Sequence, residues 1–163
     1  IYGGAEYVIH DIGRGESLID RLLATDTSYL VGVPTHAIDL LAELRRRGMT
    51  DAGRLTGFRI SGAAVPGHVI TDLLPYGITS QSGYGMTETN GHQYTLPDDD
   101  TALIRESSGK ACPGYEIRIF DEENLHIQMP VGKMGQLGGR GASLMRGYFD
   151  DQIATESCFN DDG

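Results

Sequence analysis

The chain has 163 residues, which is long enough for one domain with a sizeable core. Its 13 Lys and Arg against 23 Asp and Glu give a formal net charge of -10, which disfavours a general nucleic-acid or anionic-membrane surface. No apolar run approaches the roughly 18 residues needed to cross a bilayer, and no signal-peptide pattern opens the chain. We therefore expect a soluble, cytoplasmic protein whose two widely separated cysteines, Cys112 and Cys158, are free thiols.

The first half of the sequence alternates strand and helix patterns. A strand is predicted over residues 5–9, and a helix follows from Ser17. The run SYLVGV predicts a strand, and the next helix begins at Pro34 and stops at Gly48. FRISG and GITSQSG are strand-like, with a helix opened by Pro66 between them. This order predicts an α/β fold with parallel strands and crossover helices over residues ~1–90, where ligands bind at the carboxyl ends of the strands.

The second half has a different pattern. YEIRIFD, LHIQMP and GQLGGRG are short extended segments separated by turn residues, which predicts a mostly antiparallel β portion over residues ~110–150. We expect an α/β portion over residues 1–95 and a β-rich portion over 96–163 of the same domain. The acidic run PDDD at 97–100 is expected to be a solvated loop. Both ends of the chain resemble turns cut from a longer protein, so an internal fragment is expected.

The stretch GYGMTE follows the last parallel strand and carries the most chemistry. Gly83 and Gly85 flank Tyr84 and allow a ligand to approach the backbone closely. Thr87 offers a hydroxyl to a phosphate oxygen, and Glu88 offers a hard anionic oxygen to Mg²⁺. The alternative is a tight turn whose glycines serve geometry alone, since glycine-rich loops are common.

A second stretch of small residues, SGAA, follows the preceding strand. Gly62, Ala63 and Ala64 leave room for a planar ligand beside the backbone, although close packing of helix on strand would explain them equally. Ser61 is not predicted to be a hydrolase nucleophile, because the Gly-x-Ser-x-Gly elbow is absent. The five histidines show no metal-ligand spacing, and His92 is expected to be a solvated residue in the loop after Glu88.

Four segments in order resemble the adenylate-forming superfamily, which includes acyl-CoA synthetases, luciferases and peptide-synthetase adenylation domains. They are SGAA, GYGMTE, SSGKACPGYEIRIFD and GQLGGRGASLMRGYFDDQIATESCFNDDG, and together they span most of the chain. The resemblance implies an enzyme that activates a carboxylic acid with ATP and Mg²⁺ to an acyl-adenylate, then transfers the acyl group to CoA. The small-molecule partners would be the acid, ATP and CoA.

The resemblance also implies residue roles. Glu88 would bind the metal and act in catalysis with Thr87, which would contact the α-phosphate, while Gly85 would lie near the reacting carboxylate. The implied nucleotide-binding set is Gly62, Ala63, Ala64, Gly83, Tyr84, Gly85, Met86 and Thr87.

The sequence also departs from the family pattern. AAVP replaces the usual Ala-Pro-Leu, and Gln136 stands where a glutamate is usual. The phosphate-binding loop, the Thr-Gly-Asp ribose contact and the C-terminal lysine domain of the family are missing, so the isolated chain is expected to be inactive. Two alternatives stay open: an adenylation domain that loads a carrier protein, and a nucleotide-binding or interaction module without activity. The resemblance implies that the acid pocket draws on the helix containing His36 and on the residues around Ala63 and Gly91. These are small or apolar apart from the histidine, so we expect an apolar acid, of aliphatic, alicyclic or aromatic type.

Overall fold

The computed structural model describes residues 4–10 and 17–160. The chain forms two compact units, Ile1–Gly83 with Thr95–Gly109, and Tyr84–Tyr94 with Lys110–Gly163. The division into portions 1–95 and 96–163 stays a prediction. Within the described residues, no helix has the length and apolar character that a membrane crossing requires.

The first unit contains the predicted parallel sheet. Its strands pair in the order β1-β2-β3, with Tyr29 opposite Gly57 and Gly57 opposite Thr79. The elements of this unit are β1 (Tyr29–Gly32), β2 (Gly57–Ile60), the first part of β3 (Thr79–Met86), α1 (Leu18–Ala24), α2 (Pro34–Arg47), α3 (Gly67–Leu73) and α4 (Thr101–Glu106). The alternation of strand and helix that the sequence predicts is therefore confirmed from α1 to β3.

Local sequence signals set the ends of the helices. The Ser17 hydroxyl accepts a hydrogen bond from the Asp20 backbone N–H at 3.3 Å and caps α1. Pro34 is the first residue of α2, where its missing N–H has no cost, and Gly48 ends that helix in the left-handed region with φ 62°. These starts and stops confirm the boundaries that the sequence predicts.

The core of the first unit lies between the helices and the parallel sheet. In α2 the buried residues recur at helical spacing, so one face of the helix is apolar. The buried cluster comprises Ile19, Leu22, Ala37, Leu40, Leu41, Leu44, Ala52, Leu55, Phe58, Ile60, Val69, Leu73 and Ile78.

The three arginines at the end of α2 do more than complement the helix dipole. Arg47 bonds both Asp20 on α1 and Glu43 one turn earlier, and Arg45 pairs with Asp72 on α3 at 2.7 Å. The hydrogen bonds from Arg46 and then Arg47 lower the pKa of Glu43 to about 2. The three helices are therefore linked by ion pairs on the solvent side as well as by the core.

Two serines on the same face of β3 differ in hydrogen bonding. Ser82 Oγ donates to the Ile104 carbonyl at 2.7 Å, whereas the buried Ser80 hydroxyl has no hydrogen-bond partner among the residues that the structure describes. A buried hydroxyl without a partner costs about 1–3 kcal/mol. We therefore expect Ser80→Ala to raise the free energy of unfolding by roughly 1 kcal/mol, and Ser82→Ala to lower it by a similar amount. Urea denaturation of the two variants measures this; changes of equal sign would contradict it.

The second unit is mostly antiparallel, as predicted. It contains the end of β3, then β4 (Asn90–Tyr94), β5 (Lys110–Ala111), β6 (Glu116–Phe120), β7 (Gln136–Arg140) and α5 (Gln152–Ser157). β4 pairs with β5, and β6 pairs with β7 from Glu116 opposite Arg140 to Phe120 opposite Gln136.

Two predicted strands are not formed. Residues 5–9 have no regular secondary structure, and Tyr7 and Ile9 are exposed, so the apolar pattern there has no buried face to occupy. LHIQMP forms turns apart from a bridge between Gln128 and Phe120. The Asp121 carboxylate accepts the N–H groups of Glu123 and Asn124 in the turn that precedes this segment. The segment then pairs briefly with the end of β6, where the Asp121 N–H donates to the Ile127 carbonyl and the Met129 N–H donates to the Ile119 carbonyl.

Candidate functional site

The candidate site is built on a tight turn, residues 87–89, that joins β3 to β4. The Thr89 N–H donates to the Met86 carbonyl at 3.1 Å and closes the turn, and Asn90 follows in the left-handed region with φ 59°. The glycine-rich stretch itself is extended, because β3 continues through Tyr84 to Met86. The tight turn expected at the glycines therefore occurs a few residues later, and it places Glu88 at its centre.

Gly85 is required for this turn to close. A Cβ atom at this position would overlap the carbonyl oxygen of Asn90 across the turn. A backbone oxygen cannot move aside as a side chain can, so a glycine lets the two arms of the turn approach. The glycine therefore serves the geometry that presents Thr87 and Glu88.

The turn is anchored by a later segment of the second unit. The Met145 N–H donates to the Glu88 carbonyl at 2.8 Å, and the Tyr115 hydroxyl donates to the Thr89 carbonyl at 2.6 Å. The Tyr148 hydroxyl donates to the Glu88 carboxylate at 2.7 Å. Both the backbone of the turn and its acidic side chain are thus held from outside the turn.

The bond between Tyr148 and Glu88 favours the ionised form of the carboxyl and the neutral form of the hydroxyl. It is the main cause that lowers the pKa of Glu88, with a further contribution from the backbone of Glu88 itself. The same bond, followed by the contact with Cys158, raises the pKa of Tyr148. At neutral pH the turn therefore presents a carboxylate that keeps its full negative charge, because its donor is a neutral hydroxyl.

A buried histidine supports the tyrosine that precedes the turn. The His92 ring lies edge-on to Tyr84 and to Tyr115, with ring centroids 5.7 Å apart in both pairs. His92 lies in β4 and is 2% exposed, so the expectation of a solvated loop residue is wrong. The strand alternation of β4 turns it inward, a periodicity that the glycine-rich sequence around it concealed. Tyr84 is 39% exposed, so its ring remains open to a planar ligand.

Two glycines of GQLGGRG, Gly138 and Gly139, allow close packing of β7. A Cβ at Gly139 would overlap the His92 ring, and a Cβ at Gly138 would lie 2.6 Å from Phe120. β7 can therefore approach the rings of His92 and Phe120 only because both positions lack side chains.

A cavity of about 500 Å³ lies in the second unit and includes the turn. Tyr84, Glu88, His92 and Tyr148 line it together with charged residues of β6 and β7. Among these, Glu116 accepts hydrogen bonds from Arg118 at 3.2 Å and Arg140 at 3.0 Å, and its pKa is lowered mainly by Arg140. This volume suits a small-molecule ligand, and the lining offers aromatic, cationic and anionic groups.

The oxygen donors of the 87–89 turn suit a magnesium ion only if phosphate oxygens of a bound ligand complete its coordination. Within residues 4–10 and 17–160, no group of three or more His, Cys, Asp or Glu side chains is placed to hold a metal ion. Mg²⁺ is commonly bound by one or two carboxylates together with phosphate oxygens and water, rather than by a cage of protein ligands. One oriented carboxylate at Glu88, beside the hydroxyl-bearing Thr87, meets that requirement.

The residues of SGAA and Gly83 belong to the first unit. In the parallel sheet Ile60 pairs with Ser82, so Ser61, which follows the end of β2, and Gly83, which lies within β3, directly follow neighbouring positions at the end of the parallel pairing. Gly62 has φ 87°, and residues 62–64 are exposed. Their exposure disfavours the alternative of close helix-on-strand packing, and ligand contact there stays a prediction.

Sequence reasoning did not assign roles to several residues that shape the site. Tyr115, Met145 and Tyr148 anchor the turn from 26 to 60 positions away in the chain, and His92 supports Tyr84. The available signal for Met145 and Tyr148 was the segment GQLGGRGASLMRGYFDDQIATESCFNDDG, which carried a family resemblance but gave no role to either residue.

Comparison with known proteins identifies similar chains. The family model described as AMP-binding enzyme matches residues 1–149. The medium-chain fatty-acid–CoA ligase of Escherichia coli (strain K12) is 28% identical over 160 residues, covering 98% of this chain and 28% of the relative. The long-chain-fatty-acid–CoA ligase of Thermus thermophilus is 25% identical over 159 residues, covering 90% of this chain and 29% of the relative.

Comparison with solved structures also identifies a similar protein. The crystal structure of ATP-bound MatB from Rhodopseudomonas palustris matches with a TM-score of 0.78 and 28% identity, covering 89% of this chain and 29% of that one. The chain thus spans less than a third of the length of each of these three proteins. Its mixed architecture, parallel and then antiparallel, is that of the matched part.

Proposed function

This chain belongs to the AMP-binding enzyme family, and we propose that the whole protein is an ATP-dependent acyl-CoA synthetase, an AMP-forming carboxylate–CoA ligase. It activates a carboxylic acid as an acyl-adenylate, with release of pyrophosphate, and transfers the acyl group to the thiol of CoA. The similar proteins named as fatty-acid–CoA ligases support this choice of reaction.

The observation that carries the proposal is the carboxylate of Glu88, held at the centre of the 87–89 turn by Tyr148 at 2.7 Å. In adenylate formation, negative charge shifts onto the departing pyrophosphate. A bound magnesium ion neutralises charge on the phosphate oxygens. In our proposal Glu88 holds that ion, and the ionised state of Glu88 suits the role.

The other residues of the stretch bind and orient the nucleotide. Thr87 donates its hydroxyl to an α-phosphate oxygen, and the exposed face of Tyr84 stacks on the adenine. Gly85 lies near the reacting carboxylate of the acid, and Met86 belongs to the nucleotide-binding set. The predicted nucleotide contacts of the first unit remain Gly62, Ala63, Ala64 and Gly83.

The acid is expected to be apolar, in keeping with the small or apolar residues near Ala63 and Gly91. The isolated 163-residue chain is expected to have no activity, because the phosphate loop, ribose contact and catalytic lysine of the family are not among its residues. Binding energy from several sides of the phosphates is needed to align the acid with ATP.

Carboxylate-dependent exchange of labelled pyrophosphate into ATP by the full-length protein tests the proposal. We expect exchange with aliphatic, alicyclic or aromatic acids, followed by thioester formation when CoA is added. Transfer of the acyl group to a carrier protein instead of CoA would contradict the proposed acceptor. Nucleotide binding without exchange for any acid would identify a non-catalytic module, and a preference for a charged amino acid would contradict the predicted acid class.

A further inference from the structure

The side chain of Glu88 would be mobile if nothing outside the turn held it. It projects from the middle of a three-residue turn, where a glutamate has several rotamers of similar energy. In this protein one carboxylate oxygen, Oε1, accepts the Tyr148 hydroxyl proton at 2.7 Å, and the Glu88 carbonyl accepts the Met145 N–H at 2.8 Å. Contacts at both the backbone and the tip of the side chain restrict its orientation.

The backbone of Tyr148 is held by the start of α5. Its backbone N–H donates to Thr155 Oγ1 at 2.9 Å, and Thr155 Oγ1 donates in turn to the Asp151 carbonyl at 2.7 Å. The preceding Gly147 has φ 149°, and a Cβ there would lie 2.8 Å from the Thr155 side chain. The turn into α5 therefore positions the backbone of Tyr148, and the hydrogen bond to Glu88 positions its hydroxyl group.

The chemistry of the donor distinguishes this contact from an ordinary ion pair. An arginine or lysine would orient a carboxylate but also neutralise it, which would weaken its hold on a cation. A tyrosine hydroxyl orients the carboxylate while leaving its charge intact. Partners of this kind behind a metal ligand typically contribute 10- to 100-fold in metal affinity.

We infer that Tyr148 is a positioning residue, which holds the Glu88 carboxylate in the orientation that binds the magnesium ion of MgATP. The inference rests on the proposed function, because it assigns to Tyr148 a role only through Glu88. It gives a role to Tyr148 of the MRGY sequence, residues 145–148, which is distant in sequence from GYGMTE.

The test uses the full-length protein with Tyr148→Phe, which keeps the ring and removes the hydroxyl. Binding of Mn²⁺, a paramagnetic substitute for Mg²⁺, is measured by electron paramagnetic resonance in the presence of a non-hydrolysable ATP analogue. We expect the Mn²⁺ dissociation constant to rise roughly tenfold or more. In the exchange assay the KM for Mg²⁺ should rise by a similar factor, while the KM for the acid stays within about twofold. The control is Tyr7→Phe, which removes a hydroxyl from a side chain that is 73% exposed.

A double-mutant cycle separates positioning from a structural role. Adding Tyr148→Phe to Glu88→Gln should change Mn²⁺ binding by less than about twofold, because the hydroxyl no longer has a charged ligand to orient. Glu88→Asp keeps the charge but withdraws the carboxylate from Tyr148; it should weaken Mn²⁺ binding by itself, and Tyr148→Phe should add little to it. Unchanged Mn²⁺ binding in Tyr148→Phe, or an equal loss in the Glu88→Gln background, would overturn the inference. If Glu88→Gln itself leaves Mn²⁺ binding unchanged, the metal role in the proposed function fails as well.

Discussion

In the full-length protein, Glu88→Gln is expected to lower the rate of acyl-adenylate formation by roughly 10² or more. Glutamine has nearly the same shape as glutamate, and its amide oxygen can still accept the hydrogen bond from Tyr148, so we expect the turn to keep its geometry. The charge is lost, and with it the group that we propose to hold a cation against the phosphates as negative charge develops. Single-turnover measurement of acyl-adenylate formation, at saturating ATP and acid, reports this step directly.

The second half-reaction supplies the internal control for Glu88→Gln. Thioester formation from a supplied acyl-adenylate involves no departure of pyrophosphate, so we expect it to slow much less than adenylation. Equal losses in both half-reactions would indicate that Glu88 supports the structure of the turn alone. An unchanged adenylation rate would remove Glu88 from the mechanism.

The sequence predicted the elements whose signals are local. α2 begins at Pro34 and is capped by Gly48, as the sequence predicted from these two residues, and its buried residues recur at helical spacing. Residues 5–9 have an equally apolar pattern but form no strand, because a strand needs a neighbour to pair with and a surface to cover. Strand prediction from one sequence therefore fails where the partner determines the outcome.

The sequence predicted a chemistry for the candidate site but not its support. GYGMTE offered Tyr84, Thr87 and Glu88 as candidate ligand contacts, and the resemblance implied their roles, which stay predictions. The bond from Tyr148 to Glu88 joins residues 60 positions apart, and no periodic pattern signals a contact at that separation. His92 was placed wrongly for a related reason, since its inward direction depends on how far β3 and β4 extend around the turn.

The geometry of the 87–89 turn depends on one missing side chain, so Gly85→Ala is expected to be severe. An added Cβ overlaps the Asn90 carbonyl oxygen, and no rotamer change relieves a clash with backbone. The arms of the turn must separate, which we expect to lower the free energy of unfolding by about 1–3 kcal/mol. The same movement displaces Thr87 and Glu88, and a shift of about 1 Å in positioning groups can reduce a rate roughly 10²-fold. Thermal unfolding and pyrophosphate exchange by the full-length protein measure the two losses.

Gly67→Ala is the matched control, because it also adds a methyl group to a crowded glycine. There the Cβ would lie 2.6 Å from Arg105 Cγ, which belongs to a 44% exposed side chain that can rotate away. Gly67 is also the first residue of α3, where alanine favours the helix, so we expect a change in the free energy of unfolding within about 0.5 kcal/mol. If Gly85→Ala were as mild as this control, the Asn90 carbonyl would have room to move, and the close approach at Gly85 would not determine how the turn presents Glu88. A stable Gly85→Ala protein that nevertheless loses exchange activity would separate the two effects and place the requirement for glycine in the chemistry rather than in folding.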